Sequence, residues 1–204
     1  MARLKDKEEA ILSAAFEVFS GNGFTNASMK DIAVRAGLGK GTLYEYFQNK
    51  EDLFLQVVDV KASHFFNEIN RRISDKITLW EILNEIIQVT QETLEEVEFF
   101  FKFVMFGQFF EMSNEVKRKF HEKILSLRQE YMNLLRELLE KGFVDGVLRE
   151  FDWEFAANFI TEMIVAYCCF KEHLMGDCWL QQQRDLDREK MIDFILNGIG
   201  AKTK

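Results

Sequence analysis

The chain has 204 residues, of which 48% are hydrophobic and 29% charged, a balance that excludes a disordered protein. It contains 21 phenylalanines and no proline, so a large aromatic core must be buried and a helix breaker is missing throughout. The net charge of −8 is uneven: residues 1–50 carry seven Lys and Arg against six Asp and Glu, and the rest carry 19 against 28. Only the N-terminal segment can therefore approach a polyanion without strong repulsion.

Apolar residues recur at helical spacing along almost the whole chain, and alternating strand patterns are hard to find, so we predict an all-α fold. The first predicted helix buries a face that contains Ile11, Ala15 and Phe19. Gly21 and Gly23 follow this face, and glycine commonly ends a helix in the left-handed conformation. We therefore expect the first helix to end there.

Residues 28–54 predict a helix-turn-helix followed by the start of another helix. Ser28 with Asp31 three residues later resembles a capping box at the start of a second helix, which we expect to stop at Gly37. A short third helix follows over residues 39–47. Its outer face is too polar for a core and carries Lys, Thr and Tyr side chains, which suit phosphates and base edges.

The rest of the chain predicts a larger helical bundle. Asn49 is a suitable N-cap for a fourth helix, and residues 50–70 carry two apolar stripes, as a helix connecting two domains requires. We place a domain boundary here, with the helix-turn-helix in a first domain at residues 1–49 and a larger second domain at residues 50–204. The bundle is predicted to contain helices at residues 77–96, 97–112, 114–141, 152–175 and 185–199, with residues 177–187 as a loop.

Several side chains of the helix-turn-helix have the chemistry of DNA contacts. Lysines supply charge, tyrosine hydroxyls donate to phosphates, and a threonine offers both a hydroxyl and a methyl group to base edges. Leu43 and Phe47 lie four residues apart and should face the domain core. The candidate DNA contacts are Ser28, Lys30, Lys40, Gly41, Thr42, Tyr44, Tyr46 and Lys50.

Two alternatives stay open in this region. Tyr44 and Tyr46 could instead pack against the next helix, although side chains two residues apart cannot both face inward. Glu45 could accept a hydrogen bond from a cytosine amino group, or it could be a solvated side chain that the DNA backbone repels.

The pattern as a whole resembles a known family. The residues that carry the likeness are Ala14, Ala15, Phe19, Gly23, Phe24, Ser28, Ile32, Ala33, Ala36, Gly37, Leu38, Lys40, Gly41, Thr42, Leu43, Tyr44, Tyr46, Phe47, Lys50 and Leu53. At these spacings, about the first quarter of the chain resembles the N-terminal domain of TetR-type transcriptional repressors. The resemblance implies a nine-helix, two-domain protomer that binds DNA as a symmetric dimer and is released by a small molecule. The DNA-binding domain is then residues 1–49, and the ligand-binding and dimerisation domain is residues 50–204. It also implies that Thr42 and Tyr44 read the groove, and that Lys40, Tyr46 and Lys50 contact phosphates.

Residues 99–110 carry aromatic side chains around nearly the whole circumference of a predicted helix. Such a helix must be buried on most sides, either by ordinary core packing or by lining an apolar ligand pocket. The interpretation as a ligand pocket predicts a mainly apolar effector. Its candidate ligand-binding residues are Phe66, Phe103, Phe106, Gln108, Phe110, Arg128, Tyr131, Met163 and Tyr167.

Dimerisation is expected because one short recognition helix cannot specify a long DNA site. The small and large apolar residues of the segments 152–175 and 191–199 could form half of a four-helix dimer interface, or part of the protomer core. A ligand-responsive repressor is therefore the main hypothesis. The alternative is a scaffold or activator of the same fold that recruits a protein partner and responds to no ligand.

Enzyme and membrane functions find little support. The three histidines lack metal-binding spacing, and the three cysteines form no Cys-x-x-Cys motif, so we expect no catalytic site, metal or cofactor. The N-terminus lacks a long apolar run, and the run at residues 99–110 is too short to span a bilayer. We expect a cytoplasmic protein that does not associate with membranes.

Overall fold

The computed structural model describes residues 2–97, 112–175 and 181–199. Over these ranges the chain forms eight α-helices and no strand, which confirms the predicted all-α class. The predicted helix at residues 97–112 lies almost entirely outside the described residues. The helices are α1 (Ala2–Asn26), α2 (Met29–Arg35), α3 (Lys40–Tyr46), α4 (Lys50–Ile73), α5 (Leu79–Glu96), α6 (Asn114–Val144), α7 (Trp153–Met175) and α8 (Gln181–Ile199).

The chain divides into two compact units. The first comprises Met1–His64 and Val97–Lys123, and the second comprises Phe65–Glu96 and Ile124–Lys204. The dividing points of the chain fall inside α4, at the end of α5 and inside α6. The domain boundary expected at residue 49 stays a prediction.

The first unit has an apolar core built around phenylalanine rings. The Phe54 ring lies 5.7 Å from Phe19 and 5.1 Å from Phe24, both edge-on. Leu43 and Phe47 face this core, as predicted. The start of α6 contributes as well, since Phe120 is buried with its ring 5.9 Å from Phe54. Sequence periodicity gave no sign that residues this far along the chain belong to the N-terminal core.

The ends of α2 follow the predicted local chemistry. The Ser28 hydroxyl accepts a hydrogen bond from the Asp31 amide at 3.2 Å and donates to the Asp31 carboxylate at 2.6 Å. At the other end, Gly37 has a φ of 67°, which glycine adopts without the strain of a Cβ. The Leu38 amide then reaches the Ala33 carbonyl oxygen at 2.9 Å and closes the last turn. These caps fix where the helix begins and ends.

The predicted end of the first helix is confirmed at Gly23 and wrong at Gly21. The helix α1 continues through Gly21 and is interrupted only at Gly23, where φ is 72° and ψ is 165°. One further turn follows, because the Ala27 amide donates to the Gly23 carbonyl oxygen at 3.2 Å and Phe24 is buried in the core. Gly23 thus ends the regular helix, and the turn beyond it carries Phe24 into the core.

The predicted loop at residues 177–187 is wrong for residues 181–187, which form the first turns of α8. This stretch contains no glycine, and its Gln, Arg and Leu residues are good helix formers. High polarity was the basis of the loop prediction, but Asp187 and Arg188 are buried polar residues of this helix. Residues 176–180 lie outside the described part of the chain.

The second unit has its own apolar core, to which α4 to α8 all contribute. The α5 helix supplies Leu83, Ile86 and Ile87, none of which is exposed, and α7 supplies Ala157 and Ile164. Across the described ranges, none of the helices has the length and hydrophobicity needed to cross a bilayer.

Candidate nucleic-acid interface and effector-binding unit

The helices α2 and α3 pack against each other and leave polar side chains exposed. Lys30 is exposed on α2, and Lys40 and Tyr44 are exposed on α3, where the Lys40 ammonium lies 5.7 Å from the centroid of the Tyr44 ring. Thr42 is half-buried beside them in sequence. Gly41 is exposed, and a Cβ placed on it would meet nothing within 4 Å. The surface therefore combines two cations, a phenol and bare backbone.

Three other candidate DNA contacts lie in different environments. The Ser28 hydroxyl is engaged in the N-cap of α2. The Tyr46 hydroxyl oxygen is buried and has no hydrogen-bond partner among the described residues. The Lys50 ammonium donates to main-chain carbonyl oxygens of the first unit. The structure thus exposes Lys30, Lys40 and Tyr44. The polar groups of Ser28 and Lys50 are instead bonded within the protein, and the hydroxyl of Tyr46 is buried. DNA contact by all six residues stays a prediction.

Contacts at the first turn of α4 join it to the start of α6. The Glu51 carboxylate accepts hydrogen bonds from the Ser113 amide at 3.0 Å and from the Ser113 hydroxyl at 3.1 Å. About two turns further along α4, Asp59 forms an ion pair with Lys123 of α6. The helix that follows the helix-turn-helix is therefore joined at two points to Ser113, which directly precedes α6, and to Lys123 within α6.

Four of the nine candidate ligand-binding residues, Phe103, Phe106, Gln108 and Phe110, lie outside the described residues. Four of the other five belong to the core of the second unit or pack against it: Phe66, Tyr131, Met163 and Tyr167. The Phe65 ring joins two of them, with its centroid 5.0 Å from Phe66 and 5.8 Å from Tyr131. Burial raises the pKa of Tyr131, whose hydroxyl lies 3.0 Å from the Thr90 hydroxyl.

Arg128, the fifth of these residues, has a different setting. Its guanidinium group forms a 2.8 Å ion pair with Glu162 and a hydrogen bond with Asn158, and its side chain is 38% exposed. The structure therefore places Arg128 among polar side chains of α7. These contacts join α6 to α7 beside the core, not within it.

A buried polar network in the second unit was missed from the sequence. The guanidinium group of Arg188, which is 9% exposed, donates to Asn84 at 2.9 Å, to Gln91 at 3.1 Å and to Asp185 at 2.8 Å. The Gln91 Nε2 atom is buried without a partner among the described residues. Asn84 and Gln91 lie seven residues apart on an otherwise apolar helix face, and this spacing is the signal that could have revealed the network.

Salt bridges fix the end of α4 to α5 within the second unit. The Glu68 carboxylate accepts from Arg71 and Arg72, whose guanidinium groups lower the pKa of Glu68 to about 2. Arg72 also pairs with Glu92 of α5 at 2.5 Å. With its pKa lowered in this way, the Glu68 carboxylate stays ionised at neutral pH and keeps both arginine contacts.

The outer faces of α7 and α8 expose large apolar side chains. Phe155 and Phe159 are 58% and 53% exposed, and their rings stack with centroids 6.2 Å apart. On α8, Leu186 and Phe194 are 44% and 59% exposed. Large exposed apolar faces of this kind commonly mark protein–protein interfaces.

Comparisons with known proteins agree with the fold and the helix-turn-helix. The family model described as bacterial regulatory proteins of the tetR family matches residues 11–57. The fatty acid metabolism regulator protein of Bacillus subtilis (strain 168) is 28% identical over 150 residues, which cover 74% of this chain and 75% of that protein. The resemblance predicted from the sequence is therefore confirmed.

Two solved structures share the fold over nearly the whole chain. The fatty acid degradation regulator FadR from Bacillus halodurans has a TM-score of 0.73 and 25% identity, covering 94% of this chain and 95% of that chain. The transcriptional regulator FadR from Bacillus subtilis, in complex with stearoyl-CoA, has a TM-score of 0.71 and 24% identity, covering 94% and 98%. The likeness extends beyond the helix-turn-helix to the helices that follow it.

Proposed function

We propose that this chain, whose residues 11–57 match the family model of bacterial regulatory proteins of the tetR family, is a cytoplasmic, homodimeric repressor of that family. It binds a palindromic operator and is released when a long-chain acyl thioester binds the second unit. The single observation that carries the DNA-binding part is the capped helix-turn-helix with exposed Lys30, Lys40 and Tyr44. Cations and phenols on the exposed side of a recognition helix suit phosphates and base edges.

The homodimer is supported by the exposed aromatic face of α7 and α8. Phe155, Phe159 and Phe194 are each more than half exposed, which is costly for a monomer in water. A two-fold axis that packs this face against its own copy would bury all three rings in a four-helix interface. The dimer would also provide the second recognition helix that an operator of two half-sites requires.

The effector class is supported by the content of the second unit and by the relatives. Its core contains the aromatic side chain of Tyr131, and the half-buried Phe65 and Phe66 pack against that core, so that apolar surface suited to an alkyl chain is present. The buried Arg188 and the free amide hydrogens of Gln91 offer a charge and donors for a carbonyl or phosphate oxygen. The structure of the regulator from Bacillus subtilis that shares the fold contains stearoyl-CoA, a molecule with both an alkyl chain and carbonyl and phosphate oxygens.

Release would act through the start of α4. The bonds between Glu51 and Ser113 hold the first turn of α4 to the residue that precedes α6. This turn begins four residues after Tyr46, the last residue of α3. A ligand that binds one arrangement of these helices more tightly shifts the population toward it. A shift of α4 would change the spacing of the two recognition helices in the dimer.

The effector proposal is tested with stearoyl-CoA on a fluorescent duplex that the protein itself enriches from a random-sequence pool. We expect stearoyl-CoA at micromolar concentration to weaken DNA binding by at least about tenfold, a typical allosteric coupling. Coenzyme A without an acyl chain and stearate without coenzyme A are the controls and should have weaker effects. If none of the three changes DNA affinity, the acyl thioester is the wrong class and the ligand-independent scaffold or activator is favoured.

A further inference from the structure

The ammonium group of Lys50 lies among main-chain carbonyl oxygens of the segment that joins α1 to α2. It donates to the carbonyl oxygens of Phe24 at 2.8 Å, Thr25 at 3.1 Å and Ala27 at 2.9 Å. An ammonium group has three N–H donors, so these bonds engage all of them. The same nitrogen lies 4.4 Å from the centroid of the Phe24 ring, which is buried in the core.

These carbonyl groups belong to the end of α1 and the residues just after it. The last four carbonyl groups of a helix have no partner within that helix, and a cation placed there is stabilised by the helix dipole. The interruption at Gly23 leaves α1 with only a single turn beyond it. Lys50 therefore supplies both the hydrogen bonds and the charge that this helix end requires.

The position of Lys50 in the chain gives these bonds a wider consequence. Ala27 immediately precedes Ser28, the N-cap of α2, so its carbonyl marks the point at which the chain enters the helix-turn-helix. Lys50 is the first residue of α4 and lies three residues after Phe47, the C-cap of α3. One side chain thus connects the entry and the exit of the helix-turn-helix.

We propose that Lys50 is a positioning residue that closes the helix-turn-helix on itself and does not contact a DNA phosphate. This role differs from the phosphate contact expected from the resemblance, and it rests on the proposed DNA-binding function. Lys50 fixes the angle at which α2 begins relative to the end of α3. The recognition helix consequently meets the groove in one orientation, which favours the operator over other DNA sequences.

The test compares Lys50→Met with Lys40→Met, since Lys40 is exposed and donates to no main-chain carbonyl among the described residues. Binding is measured to the duplex enriched by the unmodified protein and to a scrambled duplex of equal length, each at several salt concentrations. We expect Lys50→Met to lower the ratio of operator affinity to scrambled-duplex affinity about tenfold and to leave the salt dependence unchanged. Lys40→Met should weaken both duplexes and reduce the salt slope by about 1.8 for the two sites of a dimer.

Amide hydrogen exchange supplies a readout that needs no DNA. Loss of the three bonds should raise the exchange rates of residues 24–32 at least about tenfold, while the amides of Leu79–Glu96 in α5 keep their rates. A general loss of stability would instead raise the exchange rates of both residues 24–32 and α5, and it would leave the ratio of operator affinity to scrambled-duplex affinity unchanged. If the unmodified protein enriches no sequence, the proposed DNA-binding function fails, whereas the exchange result still decides whether Lys50 holds this segment.

Three results would overturn the positioning role: a salt slope for Lys50→Met that falls as far as that of Lys40→Met, an unchanged affinity ratio, or unchanged exchange at residues 24–32. Lys50→Arg serves as the second variant if Lys50→Met does not fold. Arginine keeps the charge but places its donors in one plane, so they cannot converge on three carbonyl oxygens as an ammonium does. The positioning role requires Lys50→Arg to lower the affinity ratio, and a phosphate contact requires it to behave like the unmodified protein.

Discussion

Replacing Phe159 by glutamate is expected to convert the proposed homodimer to a monomer and to weaken operator binding by at least about a hundredfold. Phe159 is 53% exposed and stacks on Phe155, so the substitution removes no contact of the protomer core. In the dimer, however, it would place two carboxylates inside an apolar interface, where an unpaired charge is strongly unfavourable. The mass of the protein in solution, from light scattering, and its affinity for the enriched duplex are the measurements.

The matched control is Ile77→Glu. Ile77 is 90% exposed just before α5 and offers the same change from an apolar to a charged side chain outside the proposed interface. It should leave both the mass and the DNA affinity unchanged. A Phe159→Glu protein that remains a dimer would refute the α7 and α8 interface, and a monomer with full operator affinity would refute the need for a dimer.

The double substitution of Lys40 and Tyr44 by alanine is expected to reduce operator affinity by at least about a hundredfold, with no loss of folding. Both side chains are exposed, and their only mutual contact is the ammonium above the ring, so the core of the first unit does not depend on them. A symmetric dimer loses the pair twice. Fluorescence anisotropy with the enriched duplex measures the affinity, and circular dichroism verifies the helical content.

Lys141→Ala is the control for the charge change. Lys141 is exposed in the last turn of α6 and has no predicted role in DNA binding. It should bind the operator as the unmodified protein does. If the double variant binds equally well at physiological salt, α3 is not the recognition helix.

The helix-turn-helix was predictable because its determinants are local. The Ser28 cap, the left-handed Gly37 and the Asn49 cap each act on residues within one turn of themselves. The spacing of Leu43 and Phe47 likewise fixes which face of α3 is buried. Local chemistry of this kind can be read directly from neighbouring residues.

Features that depend on distant residues were not predictable in the same way. The burial of Phe120 beside Phe54 joins residues 66 positions apart, and the network of Arg188 joins α8 to α5. The partners of the Lys50 ammonium lie 23 to 26 residues before it in the chain. From the sequence, Lys50 was therefore expected only to contact a DNA phosphate, as the resemblance implies. The start of α8 was misjudged because its buried polar residues have partners that are remote in sequence.

The most direct test of a dimeric DNA-reading protein is the sequence it selects from a random pool of duplexes. Two recognition helices related by a two-fold axis should enrich a palindrome whose half-site centres lie about one helical turn, roughly 10 base pairs, or a multiple of it apart. The Lys40 and Tyr44 double variant should enrich nothing from the same pool. An asymmetric single site, or no enrichment by the unmodified protein, would contradict the proposal that this chain is an operator-binding homodimer.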